Sequence, residues 1–294
     1  MSDSEIEAAV RESLRRQARS APGAIGLLVA VKARGRRRRT RDLVAGMPAD
    51  KQDITLHQFL THTAGLVDAL GDDYDVLSRD DMLTAAARTP PRSAPGTAYR
   101  YSNLGYSVLA AIVEKVSGVG YEEFLSAHLF APAGMTRTGY VLPQWDPAAV
   151  AVEYDDTGTA RGRPNEHPWD TDGPYWNLRG NGGILSTAPD MFRWHRALEG
   201  REVLSGTARR KLFTPYVRED DGGSYYAYGR VILTADGHEV RWHNGGNGYS
   251  YAEIALLADD GLMVFWATAA ARRDPGWNLE EAALTQGIAD RLRG

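Results

Sequence analysis

The apolar positions of this chain repeat with two periods, and the change from one to the other divides it. Through the middle they recur every three or four residues. Leu56, Phe59 and Leu60 do so within DITLHQFLTHTAGL (53–66), and Leu104, Val108, Ala111, Ile112 and Val116 within PGTAYRYSNLGYSVLAAIVEKVSG (95–118). Three further stretches, Arg79 to Arg88, Tyr121 to Leu129 and Ala188 to Leu198, read the same way. That spacing draws one apolar stripe along a helix. Local punctuation agrees. Thr55, Ser78 and Ser102 or Asn103 can accept from the first free amides of their helices, and Pro189 stands early in its helix, where a missing N–H costs least. Gly65 and Gly118 stand at helix ends, while Pro90-Pro91 and Ala131-Pro132-Ala133-Gly134 are stops.

Toward the C-terminus the period falls to two. Residues 225–233, 239–243, 251–257 and 262–268 read as strands, the last pair joined by Ala258-Asp259-Asp260-Gly261, a good hairpin turn. Leu284, Ile288 and Leu292 then lie on one side of a closing helix. At the front, Ser4 to Arg19 is a surface helix broken by Pro22-Gly23, and Ile25 to Val31 is a short buried strand. A strand and helix first, helices in the middle and antiparallel strands last predict an α+β fold. We expect a single domain over 1–294. Residues 1–33 and about 222–294 form its sheet lobe, about 53–200 its helical lobe and loops, and 34–52 a basic junction. Residues 142–181, rich in Pro, Gly, Asp and Trp, read as long loops able to border a pocket.

Charge narrows the partners. A net charge of -4 and a pI near 6.0 give no global attraction to nucleic acid or an anionic membrane. The run KARGRRRRTR (32–41) carries seven positive charges without an apolar face, and a solvated loop is favoured over a nucleic-acid or lipid-headgroup patch. Absence of cysteine excludes disulfides, thiolate metal sites and a cysteine nucleophile. The first twenty residues lack an apolar core, and no apolar run is long enough to cross a bilayer, so a cytoplasmic protein without membrane partners is expected. No metal or other cofactor is expected.

The chemistry gathers at Tyr101-Ser102-Asn103, where a loop feeds the best-punctuated helix and mounts a phenol and a carboxamide on a rigid rim. Four stretches in this order resemble the serine β-lactamase, penicillin-binding protein and esterase family with the class C type of site: ITLHQFLTHTAGL (54–66), YSNLGYSVLAAIVEKVSG (101–118), GNGGILSTAPDMFRW (180–194) and HNGGNGYSYAEIALL (243–257). They span about two thirds of the chain. The resemblance implies a β-lactamase/transpeptidase-like fold and a serine hydrolase acting on a small ester, amide, peptide or β-lactam. It assigns proton transfer to Tyr101 and amide binding to Asn103. His243-Asn244-Gly245 matches the motif on the strand edging the site, with His243 catalytic and Asn244 and Gly245 substrate-binding, and Gly246 supplies an oxyanion-hole N–H. Histidine in place of the motif's lysine is more typical of the esterase and D-aminopeptidase branches. His62 reads as a hydrogen-bonded core histidine supporting the site from behind.

One part of the pattern is missing. The family's first motif, Ser-x-x-Lys, sets an ammonium one helical turn from the nucleophilic hydroxyl. Lysine occurs here at 32, 51, 115 and 211, and the residues three positions earlier are Val29, Pro48, Ile112 and Ala208. No nucleophile is therefore assigned. Ser102, Ser186 and Ser250 lie near motif positions without a base at fixed local spacing. A phenol titrates near pH 10 and serves as a base only beside a positive charge. The expected product is a family member with impaired or absent turnover. The alternatives are a non-catalytic binder of peptide or cell-wall-like ligands in the same cleft, and a truncated gene product or gene-model error.

Overall fold

In the computed structural model the described residues are 47–219, 223–235, 237–270 and 284–293. The front helix, the first strand and the arginine-rich run expected above lie outside them. The helical lobe opens with α1 (Leu56–Leu60), whose N-cap Thr55 accepts from the Gln58 amide while the Gln58 side chain answers the Thr55 amide. This helix is shorter than its pattern predicts. The chain leaves it at Thr61, and His62 takes φ 53°, a left-handed value uncommon outside glycine. α2 (Arg79–Arg88) starts on Ser78, as predicted.

α3 (Asn103–Ser117) is the axis of the lobe. Ser102 caps it by accepting from the Gly105 amide, and Gly118 closes it at φ 77°. Leu104, Val108, Leu109, Ala111 and Ile112 join Phe59, Met82 and Trp176 in one core, and Val113 reaches into a second core with Phe124, Leu129 and Leu198. Ser102 holds two partners at once, donating its hydroxyl to the Val67 carbonyl at 2.7 Å. Ser102→Ala is expected to cost about 1–2 kcal/mol in urea unfolding through the lost cap. A cost below about 0.5 kcal/mol would show that the cap is replaceable.

α4 (Tyr121–Leu125) runs into a π-helical turn at Ser126–Phe130. Short pairs follow in the loop region, β1 (Glu153–Tyr154) with β2 (Ala160–Gly162) and β3 (Trp169–Asp170) with β4 (Gly173–Pro174). α5 (Ala188–Glu199) has Pro189 in its first turn, and a helix the sequence reading lacked, α6 (Gly206–Leu212), is capped by Ser205.

The sheet is antiparallel throughout, in the order β10-β9-β8-β7-β6-β5, with β5 Val217–Arg218, β6 Tyr225–Tyr226, β7 Val231–Ala235, β8 His238–Gly246, β9 Tyr251–Leu257 and β10 Leu262–Thr268. The strand expected over 225–233 is two, because the chain turns at Gly229 with φ 70°. β9 and β10 pair from Tyr251–Thr268 to Leu257–Leu262, as their alternation predicts. α7 (Leu284–Arg293) packs on one face, where Ile288 joins Leu262 and Trp266 around Leu257 and Val264. The opposite face carries Arg241 and His243, and Arg241 lies 4.2 Å over the Phe213 ring and 3.5 Å from Glu199.

Candidate active site

His62 organises the rim. Its carbonyl accepts from the Arg100 amide at 2.7 Å, and its Nδ1 accepts from the Ser102 amide at 3.0 Å, so one residue grips the chain on both sides of Tyr101. Accepting at Nδ1 places the ring hydrogen on Nε2. That nitrogen is buried without a hydrogen-bond acceptor, and the imidazole packs among the rings of Tyr101, Tyr226 and Tyr106, at 4.1, 4.5 and 5.1 Å between ring centres. Burial, reinforced by His243, drives its pKa down to about 3. The imidazole is neutral at pH 7 and supports the site from behind, as its sequence context implies.

Tyr101 is 40% exposed, so its ring is available to a ligand. Its pKa is raised, by burial first and then by Asp68 and Glu219. Both charges are negative, and the phenol keeps its proton. Asn103 begins α3, and its amide donates to Asp68 Oδ1 at 3.1 Å. Lys51, the buried lysine, is spent elsewhere: its Nζ donates to Asp50 at 2.9 Å and to the Ala87 carbonyl at 3.1 Å.

Across from Tyr101, 6.5 Å between ring centres, stands His243 of β8. Its Nε2 meets the Tyr226 hydroxyl at 3.1 Å. Burial and then Arg230 lower its pKa to about 4, against a smaller opposing effect of the Asn244 backbone. Arg230 itself is nine-tenths buried, lacks an ion pair among the described residues, leaves Nη1 without a partner, and is lowered to about 10 by burial. Gly246 ends the strand where a Cβ would lie 2.4 Å from the Ser250 carbonyl oxygen, so no side chain fits. At Gly245 a Cβ would meet open space, which leaves that backbone approachable.

Tyr101 and His243 therefore face one another, the glycine edge continues the His243 strand, and Asn103 opens α3 two residues after Tyr101. Asn244 does not project toward them. Strand alternation sends its side chain to the other face, where Nδ2 donates to the Tyr251 hydroxyl at 2.5 Å, so any substrate contact there is limited to its backbone. Of the motif serines, Ser102 is a helix cap, Ser186 shares a 2.7 Å hydrogen bond with Thr138, and Ser250 donates to Glu153. The sequence reading missed Tyr226, Arg230 and Glu153. The last two had a signal, a charge set among apolar neighbours in GRVIL and VAVEY. Among the described residues no three His, Asp or Glu side chains converge as a metal site, and no helix is long and apolar enough to cross a membrane.

Comparison with known proteins identifies the family and the fold. The Beta-lactamase family model matches residues 40–285. The chain belongs to that family. It is similar to the putative penicillin-binding protein PbpX of Bacillus subtilis (strain 168), 32% identical over 186 residues that cover 63% of this chain and 44% of that protein. A D-aminopeptidase of Cereibacter sphaeroides is 25% identical over 240 residues, 78% of this chain and 45% of its own length. The crystal structure of a penicillin-binding protein from Bacillus halodurans superposes with a TM-score of 0.68 at 28% identity, covering 84% of this chain and 77% of that one. This Beta-lactamase family member thus has the β-lactamase/transpeptidase-like α+β fold, and it spans less than half the length of these two curated relatives.

Proposed function

We propose that this member of the β-lactamase-related serine hydrolases keeps the ligand cleft and has lost acyl transfer. The observation that carries the reading is the pairing of two facts. The sequence has no Ser-x-x-Lys, and the charges acting on Tyr101 are Asp68 and Glu219, which hold its proton in place. Without a nucleophile and an ammonium, such a site retains only binding and the backbone edge, a loss of many orders of magnitude. A chromogenic ester and a chromogenic cephalosporin should turn over no faster with the protein than with its Tyr101→Phe variant. Robust turnover abolished by that substitution would overturn the proposal.

The same cleft supports a second reading, a non-catalytic binder of a small peptide, ester or cell-wall fragment. Arg230 favours it, because a guanidinium nine-tenths buried beside His243, with no ion pair among the described residues, is costly unless an anion such as a ligand's meets it. Saturable binding of such a fragment, weakened about tenfold or more by Asn103→Ala, is the expected result if that carboxamide bonds the ligand amide. Binding that ignores both Asn103 and Arg230 would place the ligand elsewhere. Intact Ser-x-x-Lys coding sequence found in genomic DNA around codons 31 to 53 would instead mark the chain as a truncated product.

A further inference from the structure

Three asparagines of this chain are followed by glycine, at positions 181, 244 and 247. The pairing matters chemically, because a glycine nitrogen has no side chain beside it to hinder attack on the preceding carboxamide. Two of the three are held back from that attack. The Gly182 amide is already donated to the Leu178 carbonyl at 2.9 Å, and Asn244 and Gly245 lie within the paired length of β8, opposite Glu253 and Ala252. Asn247-Gly248 differs. It sits in the turn between β8 and β9, where Gly248 is exposed and its amide has no hydrogen-bond acceptor among the described residues. The Asn247 carboxamide also has a fixed orientation. Its Oδ1 accepts from the Tyr249 and Ser250 amides at 2.8 and 2.7 Å, while its Nδ2 donates to the Tyr74 hydroxyl at 3.1 Å and to Glu153 Oε1 at 3.3 Å. Exchanging its oxygen and nitrogen would set N–H groups against N–H groups.

We propose that Asn247 is a self-modification site, where the folded turn promotes conversion of the asparagine to aspartate or isoaspartate through a cyclic imide. The Gly248 nitrogen bonds to Asn247 Cγ and gives its proton to solvent. The Cγ–Nδ2 bond then breaks, the leaving nitrogen takes up a proton and departs as ammonia, and water opens the imide at either carbonyl. A water is consumed and an ammonia released. In the tetrahedral intermediate the negative charge gathers on Oδ1, where two backbone N–H groups already stand at 2.7 and 2.8 Å. That is the geometry of an oxyanion hole, turned here on the protein's own side chain. Nothing blocks the attacking residue, since a Cβ built at Gly248 would meet open space. Either product replaces the Nδ2 donor by a carboxylate oxygen facing buried Glu153, so attraction becomes repulsion. Isoaspartate also lengthens the turn by a methylene. The turn that follows Gly246 thus loses its brace irreversibly, whatever the cleft binds.

Incubation of the full chain at pH 8, folded and in urea, followed by peptide fragmentation in a mass spectrometer, reads the amide-to-acid mass gain at each asparagine separately. In the folded protein Asn247 should convert about tenfold faster than Asn181 or Asn244, and faster than the same residue in the urea-unfolded chain. The other two should convert more slowly folded than unfolded. Gly248→Ala is compatible with the turn, because the added methyl meets no neighbour and the backbone there is not left-handed. It hinders the attacking nitrogen and should suppress the gain at Asn247 while leaving Asn181 and Asn244 unchanged. An Asn247 that converts no faster folded than unfolded would show that its hydrogen bonds protect the carboxamide instead of activating it, and the proposal would fall. It would fall equally if Gly248→Ala aged at the parent's rate, since the imide route would then be excluded. The unaltered protein decides alone if that variant does not fold.

Discussion

Acidification from pH 7 to 4.5 should remove about 5 kcal/mol of stability through two histidines alone, enough to unfold a domain of ordinary stability. The folded protein holds His62 at a pKa of about 3 and His243 at about 4, where unfolded histidine titrates near 6.5. Both are depressed, so the unfolded state binds more protons in the window between those values. Stability is then fully present above about pH 6.5 and falls as the pH drops toward 4, with each ring contributing about 1.4 kcal/mol per pH unit. The physical cause is the same at both positions. An aromatic shell excludes water from the imidazoles, and for His243 the nearby Arg230 adds repulsion. Urea unfolding at four pH values between 7.5 and 4.5 measures the slope, and His243→Gln should roughly halve it. A flat stability between pH 6.5 and 5 would mean that both rings ionise inside the fold, and a half slope that one does.

That pair also marks where the sequence stopped being informative. α3 was legible except for its first residue, where Ser102 and Asn103 both offered a cap, because everything that specifies it is local, from the cap through the apolar stripe to the left-handed Gly118. The β9–β10 hairpin was legible for the same reason. α1 was read too long, since the apolar pattern continues through His62, where the backbone turns left-handed to clamp Arg100 and Ser102. α6 offers only seven residues, too short for a period to declare itself. The site divided likewise. Motif spacing picked out Tyr101 and His243, which the fold brings to 6.5 Å between ring centres. The sign of the charge around Tyr101 could not be read from spacing, because it depends on Asp68 and Glu219 arriving from distant loops. For Asn244 the information was present: alternation along β8 already places it on the face opposite His243.

Glu153→Ala should cost about 3–5 kcal/mol, because it strands several polar groups rather than one. The Glu153 carboxyl group is 1% exposed and gathers four donors: the Ser250 hydroxyl, Asn247 Nδ2 at 3.3 Å, the Tyr74 hydroxyl at 3.4 Å and His167 Nε2 at 3.2 Å. These come from three separate loops, and two of them lie in the turn that follows Gly246. Within that turn Asn247 Oδ1 accepts from the Tyr249 and Ser250 amides at 2.8 and 2.7 Å, so Glu153 holds the residue that shapes the turn. Above it the rings of Tyr74 and His167 stack at 4.0 Å. Glu153→Gln keeps the shape and one acceptor oxygen but turns an amide donor toward donors, and about 1–3 kcal/mol is expected. If the carboxyl group braces the glycine edge, amide exchange at Tyr249 and Ser250 should accelerate in both variants while exchange in α3 stays slow. A Glu153→Ala protein within about 1 kcal/mol of the parent would mean that the four donors find water as readily as they find the carboxyl group.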